Sequence, residues 1–331
     1  MKPLANRFRT KATLRSIGAA LCAILAVLQT SRAADKPQIW VALAPGHQRP
    51  NGTFAGAADF ADLFSPGAPW STVAGRVGVF KIYPELVRDG SDAELRRLLD
   101  GLAARKIALG LEIPVLVDSV GSCTPGKPKS RWMLGFVERL RKLGADLRYL
   151  AAVGPLVDGH VYIKQGYCHL PIPDVADDAA RTIAQMRKIY PELQVGEIEP
   201  VGHRKDYPDW RELGAWFNAF SKAAGRPPAF LHVDITWGLP WRDDLLSVAR
   251  QTRAAGIPFG AIYNAEGSSA DADYARAVLQ HAREVESVLG GAPDHVVFQS
   301  WVNNPRRALP ESDPATMTGM VLSYMRTLRS K

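Results

Sequence analysis

The chain has 331 residues and a formal net charge of +8, a balance that by itself would favour a polyanionic partner. Six of its 41 Lys and Arg residues, but none of its 33 Asp and Glu residues, lie within residues 1–33, so residues 34–331 carry only +2. Because nucleic-acid binding needs a concentrated basic face, this distribution argues against a nucleic-acid partner. Residues 34–331 are numerous enough to bury the core of one α/β domain.

Residues 1–33 have the layout of a secretory signal peptide. A basic stretch is followed by the apolar run Ile17–Leu28 and by the small-x-small sequence Ser31-Arg32-Ala33. The run is shorter than the roughly 20 apolar residues needed to span a bilayer, so we expect cleavage without a remaining membrane anchor. The sequence therefore predicts a periplasmic or secreted protein whose mature domain is 34–331.

Eight short apolar runs alternate with helix-like segments along residues 34–331. The runs are Ile39–Ala44, Val77–Tyr83, Ile107–Ile113, Leu147–Val153, Leu193–Glu199, Ala229–Ile235, Pro258–Asn264 and His295–Trp301. Such runs are typical of parallel strands covered by helices, and strict alternation implies right-handed crossovers. Eight units predict a single-domain (β/α)8 TIM barrel. An open doubly wound sheet is the alternative, but no glycine-rich phosphate loop follows the first run.

The fifth run ends in Glu197-Ile198-Glu199, which places two carboxylates on one face of a strand. In a barrel the active site lies at the carboxyl ends of the strands. Because Ile198 would suit the helix layer, we expect Glu197 and Glu199 to face the barrel axis. Crowding there would separate their pKa values, which makes both acids candidate catalytic residues. A salt-bridged pair that holds the rim together is the alternative.

The sixth run places His232 and Asp234 on one face, which we also expect to point at the axis. Asp234 is a candidate catalytic carboxylate, and Glu266, after the seventh run, is another. A structural His–Asp pair is the alternative for the sixth run. Polar and aromatic residues at other strand ends complete the expected rim. The candidate substrate-binding residues are His47, Lys81, Tyr83, Glu112, His232, Trp237, Tyr263, Asn264, Gln299 and Trp301.

Aromatic and cysteine residues add two further expectations. The indole rings of Trp237 and Trp301 would suit the faces of a sugar, with packing in the loops as the alternative. Cys123 and Cys168 follow neighbouring strands, so their loops leave the same rim. In an exported protein they could form a disulfide, and two unpaired thiols are the alternative. HExxH, HxH, CxxC and GxSxG patterns are missing, so we predict no metal, no cofactor and no serine hydrolase.

A barrel with carboxylates at its strand ends resembles the large clan of retaining glycoside hydrolases. In that clan an Asn-Glu-Pro type motif ends the fourth strand and supplies the acid/base, and a seventh-strand glutamate is the nucleophile. Here the fourth run ends Val153-Gly154-Pro155, so Gly154 stands at the acid position and the motif is degenerate.

The resemblance implies hydrolysis of a glycosidic bond in an oligo- or polysaccharide. Glu197 or Glu199 would be the general acid/base, and Asp234 or Glu266 its carboxylate partner. Two alternatives stay open, and Gly154 at the acid position motivates the first of them. One is a non-catalytic periplasmic carbohydrate-binding barrel, and the other is a metal-dependent deacetylase or lyase.

Overall fold

The computed structural model describes residues 36–48, 54–116, 130–161, 169–202 and 210–328. The predicted signal segment 1–33 and the predicted disulfide partners Cys123 and Cys168 lie outside these ranges. Within them, every helix is too short or too polar to cross a bilayer.

Eight parallel strands close into a barrel in chain order. They are β1 (Gln38–Leu43), β2 (Val77–Ile82), β3 (Ala108–Ile113), β4 (Leu147–Val153), β5 (Gln194–Val201), β6 (Leu231–Ile235), β7 (Phe259–Tyr263) and β8 (His295–Ser300). The ring closes where β8 pairs with β1, with Gln38 opposite His295 and Leu43 opposite Ser300. The predicted eight-stranded α/β barrel is therefore confirmed. A short antiparallel pair, His47–Gln48 with Phe54–Ala55, lies beyond β1.

Helices follow the strands around the outside. They are α1 (Ser71–Ala74), α2 (Pro84–Asp89), α3 (Asp92–Ala104), α4 (Ser130–Lys142), α5 (Ile172–Ile189), α6 (Leu213–Ala224), α7 (Arg242–Ala254), α8 (Asp271–Leu289) and α9 (Met317–Thr327), with single turns at Phe60–Phe64, Val157–Val161 and Trp210–Glu212. Helix α3 begins with a reciprocal Ser91–Glu94 capping box. Helices α6 and α8 end at Gly225 and Gly290, both with φ 73°, where glycine avoids the strain of a left-handed backbone.

The direction of each strand side chain follows from two separate apolar clusters. Trp40, Val79, Ile198, Phe230, Ala151, Ile262 and Val297 share one cluster, which fills the barrel interior. Their strand neighbours, such as Val41, Phe80 and Val233, belong to the large outer cluster beneath the helices. A Cβ atom at Gly196 would lie 2.4 Å from the Phe230 ring, so this glycine makes room for the interior aromatic. In β5, residues 196 and 198 therefore point inward.

Candidate functional site

Five polar side chains from five strands meet at the carboxyl end of the barrel. Lys81, Asn264 and Gln299 each lie two residues beyond a member of the interior cluster, so they share its inward direction. Glu112 contacts Lys81, and Asp234 contacts Asn264, which brings β3 and β6 into the same group. The structure therefore assembles a polar mouth above an apolar interior.

Lys81 is completely buried and bridges two strands of this mouth. Its ammonium group donates to the Glu112 carboxylate and, over 2.6 Å, to Gln299 Oε1. Burying an ammonium is costly unless a charged partner compensates it, and Glu112 supplies that partner. The Glu112 side chain keeps 17% of its surface exposed and lines an open cavity.

Asp234 stands in a different environment from Glu112. Burial raises its pKa to about 6, helped by the charges of Glu112 and Glu266 and opposed by a hydrogen bond from Asn264 and the charge of Lys81. Asn264 Nδ2 donates to Asp234 Oδ1 over 2.9 Å. Asp234 can therefore hold or release a proton near neutral pH, while Glu112 is engaged in an ion pair. Two carboxyl groups with contrasting environments are typical of acid/base sites.

An open cavity of about 890 Å³ extends from this mouth and is partly lined by His47, Tyr83, Glu112 and Trp301. The Tyr83 hydroxyl is buried and has no hydrogen-bond partner among the described residues. Burial, then the negative charge of Glu112, raises the pKa of Tyr83, so its hydroxyl stays protonated. Trp301 is 44% exposed and also borders a smaller cavity of about 290 Å³ that contains Glu266.

The cavity also covers surfaces that sequence reasoning missed. Its wall includes Phe60, Phe64 and Leu86, together with the ion-paired Arg88 and Asp89. Phe60 and Phe64 lie between β1 and β2, and the other three residues lie on α2, so none of them is at the end of a strand.

Trp237 lies beside Asn264, with both its polar edge and one ring face in contact with the protein. Its Nε1 group donates to Asn264 Oδ1 over 2.7 Å. Its ring stacks on His281, with centroids 3.7 Å apart and planes 9° apart. These contacts match the alternative of packing within the loops, and a sugar contact by Trp237 stays a prediction.

The predicted inward direction of Glu197 and Glu199 is wrong. Trp216 Nε1 on α6 donates to Glu197 Oε2 over 2.8 Å, and the backbone amides of Leu156 and Val157 donate to Glu199 over 2.8 and 3.2 Å. Both acids are fully buried between barrel and helices. The reason is that Ile198 fills the barrel interior, which is as apolar as the helix layer.

The two acids form a buried pair in that layer. Burial raises the pKa of Glu197 to about 8, against a hydrogen bond from Trp216. Burial, then the charge of Glu197, raises the pKa of Glu199 well above its usual range. Because burial disfavours the charged forms, protonated carboxyl groups explain how the described part of the fold accommodates the pair.

Tyr263 and His232 also lie away from the open cavity, contrary to expectation. Tyr263 points outward and is completely buried, 5.6 Å from Phe298 between ring centroids. His232 points inward as expected, but it is sealed within the interior, where its Nε2 lies 3.0 Å from His295 Nδ1 and its ring 4.9 Å from Trp40. Burial, then His295, lowers the pKa of His232 well below its usual range, so it is neutral.

Gly154, at the degenerate motif, has a left-handed φ of 52°. A Cβ atom there would lie 2.9 Å from Asp158 Oδ2, so a carboxyl group from the following turn occupies the space of the missing side chain. Burial raises the pKa of Asp158 to about 7. Sequence reasoning did not single out Asp158, because nothing in the spacing indicates that the chain turns back toward Gly154.

The described residues contain no group of three His, Cys, Asp or Glu side chains placed to hold a metal ion. No family model matches the chain, and no curated protein matches it. Several solved structures share its fold at low identity.

Among these structures, a β-glycosidase is 12% identical and has a TM-score of 0.49, covering 81% of this chain and 86% of its own. Fungal β-1,4-galactanase is 11% identical with a TM-score of 0.48, covering 86% and 98%. D-psicose 3-epimerase from Clostridium cellulolyticum H10 is 11% identical with a TM-score of 0.47, covering 88% and 98%. These similarities concern the barrel fold alone.

Proposed function

We propose that the protein is an exported, glycoside-hydrolase-like enzyme that cleaves a glycosidic bond in an oligo- or polysaccharide. Asp234 is the proton donor in this proposal, and Glu112 is the ionised carboxylate. The observation that carries it is the contrast between the two acids at one mouth. Burial raises the pKa of Asp234 to about 6, whereas Glu112 is ion-paired with Lys81.

The two carboxyl groups divide the chemistry between them. Protonated Asp234 donates to the leaving glycosidic oxygen as the bond to the anomeric carbon breaks. Glu112 stabilises the positive charge that develops on the sugar, and either attacks the anomeric carbon or takes a proton from an attacking water. The first route retains and the second inverts the anomeric configuration. Asp234 then regains its proton from the water that completes hydrolysis on the first route, or from solvent on the second.

Carbohydrate is the substrate class that suits the rest of the mouth. Trp301 offers a partly exposed indole, and Tyr83 and Glu112 line the same cavity. Flat apolar area next to polar groups fits the faces and hydroxyls of a sugar ring. The cavity of about 890 Å³ lies at the upper end of ordinary small-molecule sites, which favours an oligomeric substrate.

A non-catalytic carbohydrate-binding barrel is the second candidate. The observation that favours it is Gly154, which leaves no side chain at the position where the resembling clan carries its acid. In that case Trp301 and Tyr83 would bind the same ligands, but Asp234 and Glu112 would perform no chemistry.

The experiment measures new reducing ends and saturable binding for the purified protein on a panel of polysaccharides. Asp234→Asn and Glu112→Gln should each lower turnover at least a hundredfold, because removing general acid/base catalysis costs about 10²–10⁴-fold. Glu197→Gln is the matched control and should retain turnover, since Glu197 lies in the helix layer. Saturable binding without new reducing ends would establish the binding barrel instead. Activity unaffected in both mouth variants would refute the assignment.

A further inference from the structure

Trp237 is linked to Asp234 through the side-chain amide of Asn264. Its only polar hydrogen is directed at Asn264 Oδ1, and the other end of the same amide is directed at Asp234 Oδ1. We propose that Trp237 is a positioning residue that fixes the amide of Asn264 so that its Nδ2 group donates to Asp234, with His281 holding the indole in place.

The donor and acceptor groups around Asn264 fix the orientation of its amide. An indole N–H can only donate, so the atom of Asn264 that faces Trp237 must be the amide oxygen. The amide nitrogen then faces Asp234 and stabilises its ionised form. A flipped amide would oppose two donors at Trp237 and place its oxygen against Asp234. The contact between the flipped amide and Asp234 would be favourable only when Asp234 is protonated and donates to the amide oxygen.

His281 completes the arrangement from α8. Its Nδ1 lies 2.8 Å from the backbone oxygen of Asn264, and its ring stacks on Trp237. Burial lowers the pKa of His281, so the neutral ring with its proton on Nδ1 donates to that carbonyl. Asn264 is thus held through both of its oxygens, one by Trp237 and the other by His281.

Several charged or titratable groups face Asp234 from the surrounding strands and helix. They are Lys81 on β2, Tyr83 after β2, Glu112 on β3, Glu266 after β7 and Tyr274 on α8. Among the described residues, Asn264 is the group that gives Asp234 a hydrogen bond. Loss of that bond should therefore favour protonation of Asp234, because Glu112 and Glu266 oppose its charge.

This inference deepens the proposed function, since a proton donor requires a controlled pKa, but its test needs no substrate. The ¹³C carboxyl resonance of Asp234, assigned by its loss in Asp234→Asn, is titrated by NMR in the wild type and in Trp237→Phe. Phenylalanine keeps the ring that stacks on His281 but removes the N–H. Without the Trp237 N–H, the Asn264 amide is no longer held and its bond to Asp234 is lost. The pKa of Asp234 should then rise by about one pH unit, which corresponds to losing one hydrogen bond to a charged group.

Trp241→Phe is the matched control. Its ring lies 5.5 Å from that of Trp237, but among the described residues it makes no hydrogen bond to Asn264. The Asp234 titration in this variant should follow the wild type. An Asp234 pKa that is unchanged in Trp237→Phe, or raised equally in both variants, overturns the proposal.

A second variant tests whether Trp237 acts through Asn264. Asn264→Leu should raise the Asp234 pKa at least as much as Trp237→Phe, and combining the two should add nothing further. Additive shifts would mean that Trp237 acts on Asp234 by another route, which also overturns the proposal. A catalytically inactive protein that still shows the predicted shifts would refute the proposed hydrolysis while supporting the positioning role.

Discussion

Replacing Glu197 by glutamine should flatten the pH dependence of folding. Glu197 is fully buried, accepts one hydrogen bond from Trp216, and has a second carboxyl oxygen without a partner among the described residues. Glutamine has nearly the same shape and can accept the same bond, but it cannot ionise. The substitution therefore removes a titrating group while keeping the packing around β5.

The size of the effect follows from the pKa of Glu197 in the folded and unfolded chain. It is about 8 in the folded protein, against 4.5 for an unperturbed glutamate. Between these values the folded state keeps a proton that the unfolded state releases. The stabilisation is fully present below pH 4.5 and is lost as the pH rises toward 8, by about 1.4 kcal/mol per pH unit. Between pH 5 and 7.5 the loss from Glu197 amounts to about 3 kcal/mol.

Urea unfolding at pH 5 and pH 7.5 measures this difference. The wild type should lose about 3 kcal/mol more unfolding free energy between the two pH values than Glu197→Gln does. Glu192→Gln, an exposed substitution just before β5, is the control and should titrate like the wild type. Equal losses in the wild type and Glu197→Gln would show that Glu197 is not buried as a protonated acid, and the account of the helix layer would fail.

Two further predictions concern the mouth and the segment before the barrel. Trp301→Ala should weaken oligosaccharide binding about tenfold in calorimetry, in line with the loss of one aromatic contact. Leu246→Ala, at an equally exposed apolar residue on α7, should not change it, and equal affinities in all three proteins would remove Trp301 from the site. Intact mass of the full-length chain recovered from the periplasm of a bacterial host should show loss of residues 1–33 and, after reduction, a gain of about 2 Da for one Cys123–Cys168 disulfide. An uncleaved chain would refute export. An unchanged mass on reduction would refute the disulfide.

The barrel itself could be predicted because local patterns repeat along the chain. Each strand is a short apolar run, and several helices end at recognisable signals, such as the Ser91–Glu94 capping box and the left-handed Gly225. These signals depend on neighbours within a few residues, which a sequence contains in full. Eight repeats of the same unit then leave few ways to close a parallel sheet.

The direction of the β5 side chains could not be predicted from the same kind of pattern. Both faces of a barrel strand are apolar, one toward the interior and one toward the helices, so Ile198 suits either. The deciding feature is a contact between strands. Gly196 leaves space that Phe230 fills, and this pair fixes residues 196 and 198 on the inner face. Their fit depends on the register of β5 against β6, which the sequence does not state.

The sequence also does not show which residues contact each acid, and these contacts decide whether the acid can take part in chemistry. Burial raises the pKa of both Glu197 and Asp234, yet Glu197 is enclosed by α6 through Trp216, whereas Asp234 remains partly exposed at the mouth. An acid can transfer a proton to a substrate only if the substrate can reach it, so a raised pKa without access adds a pH-dependent folding cost and no chemistry. Glu112 lines the cavity and Asp234 keeps part of its surface exposed, whereas Glu197 and Glu199 are fully buried, so exposure favours Glu112 and Asp234 as the candidate catalytic groups.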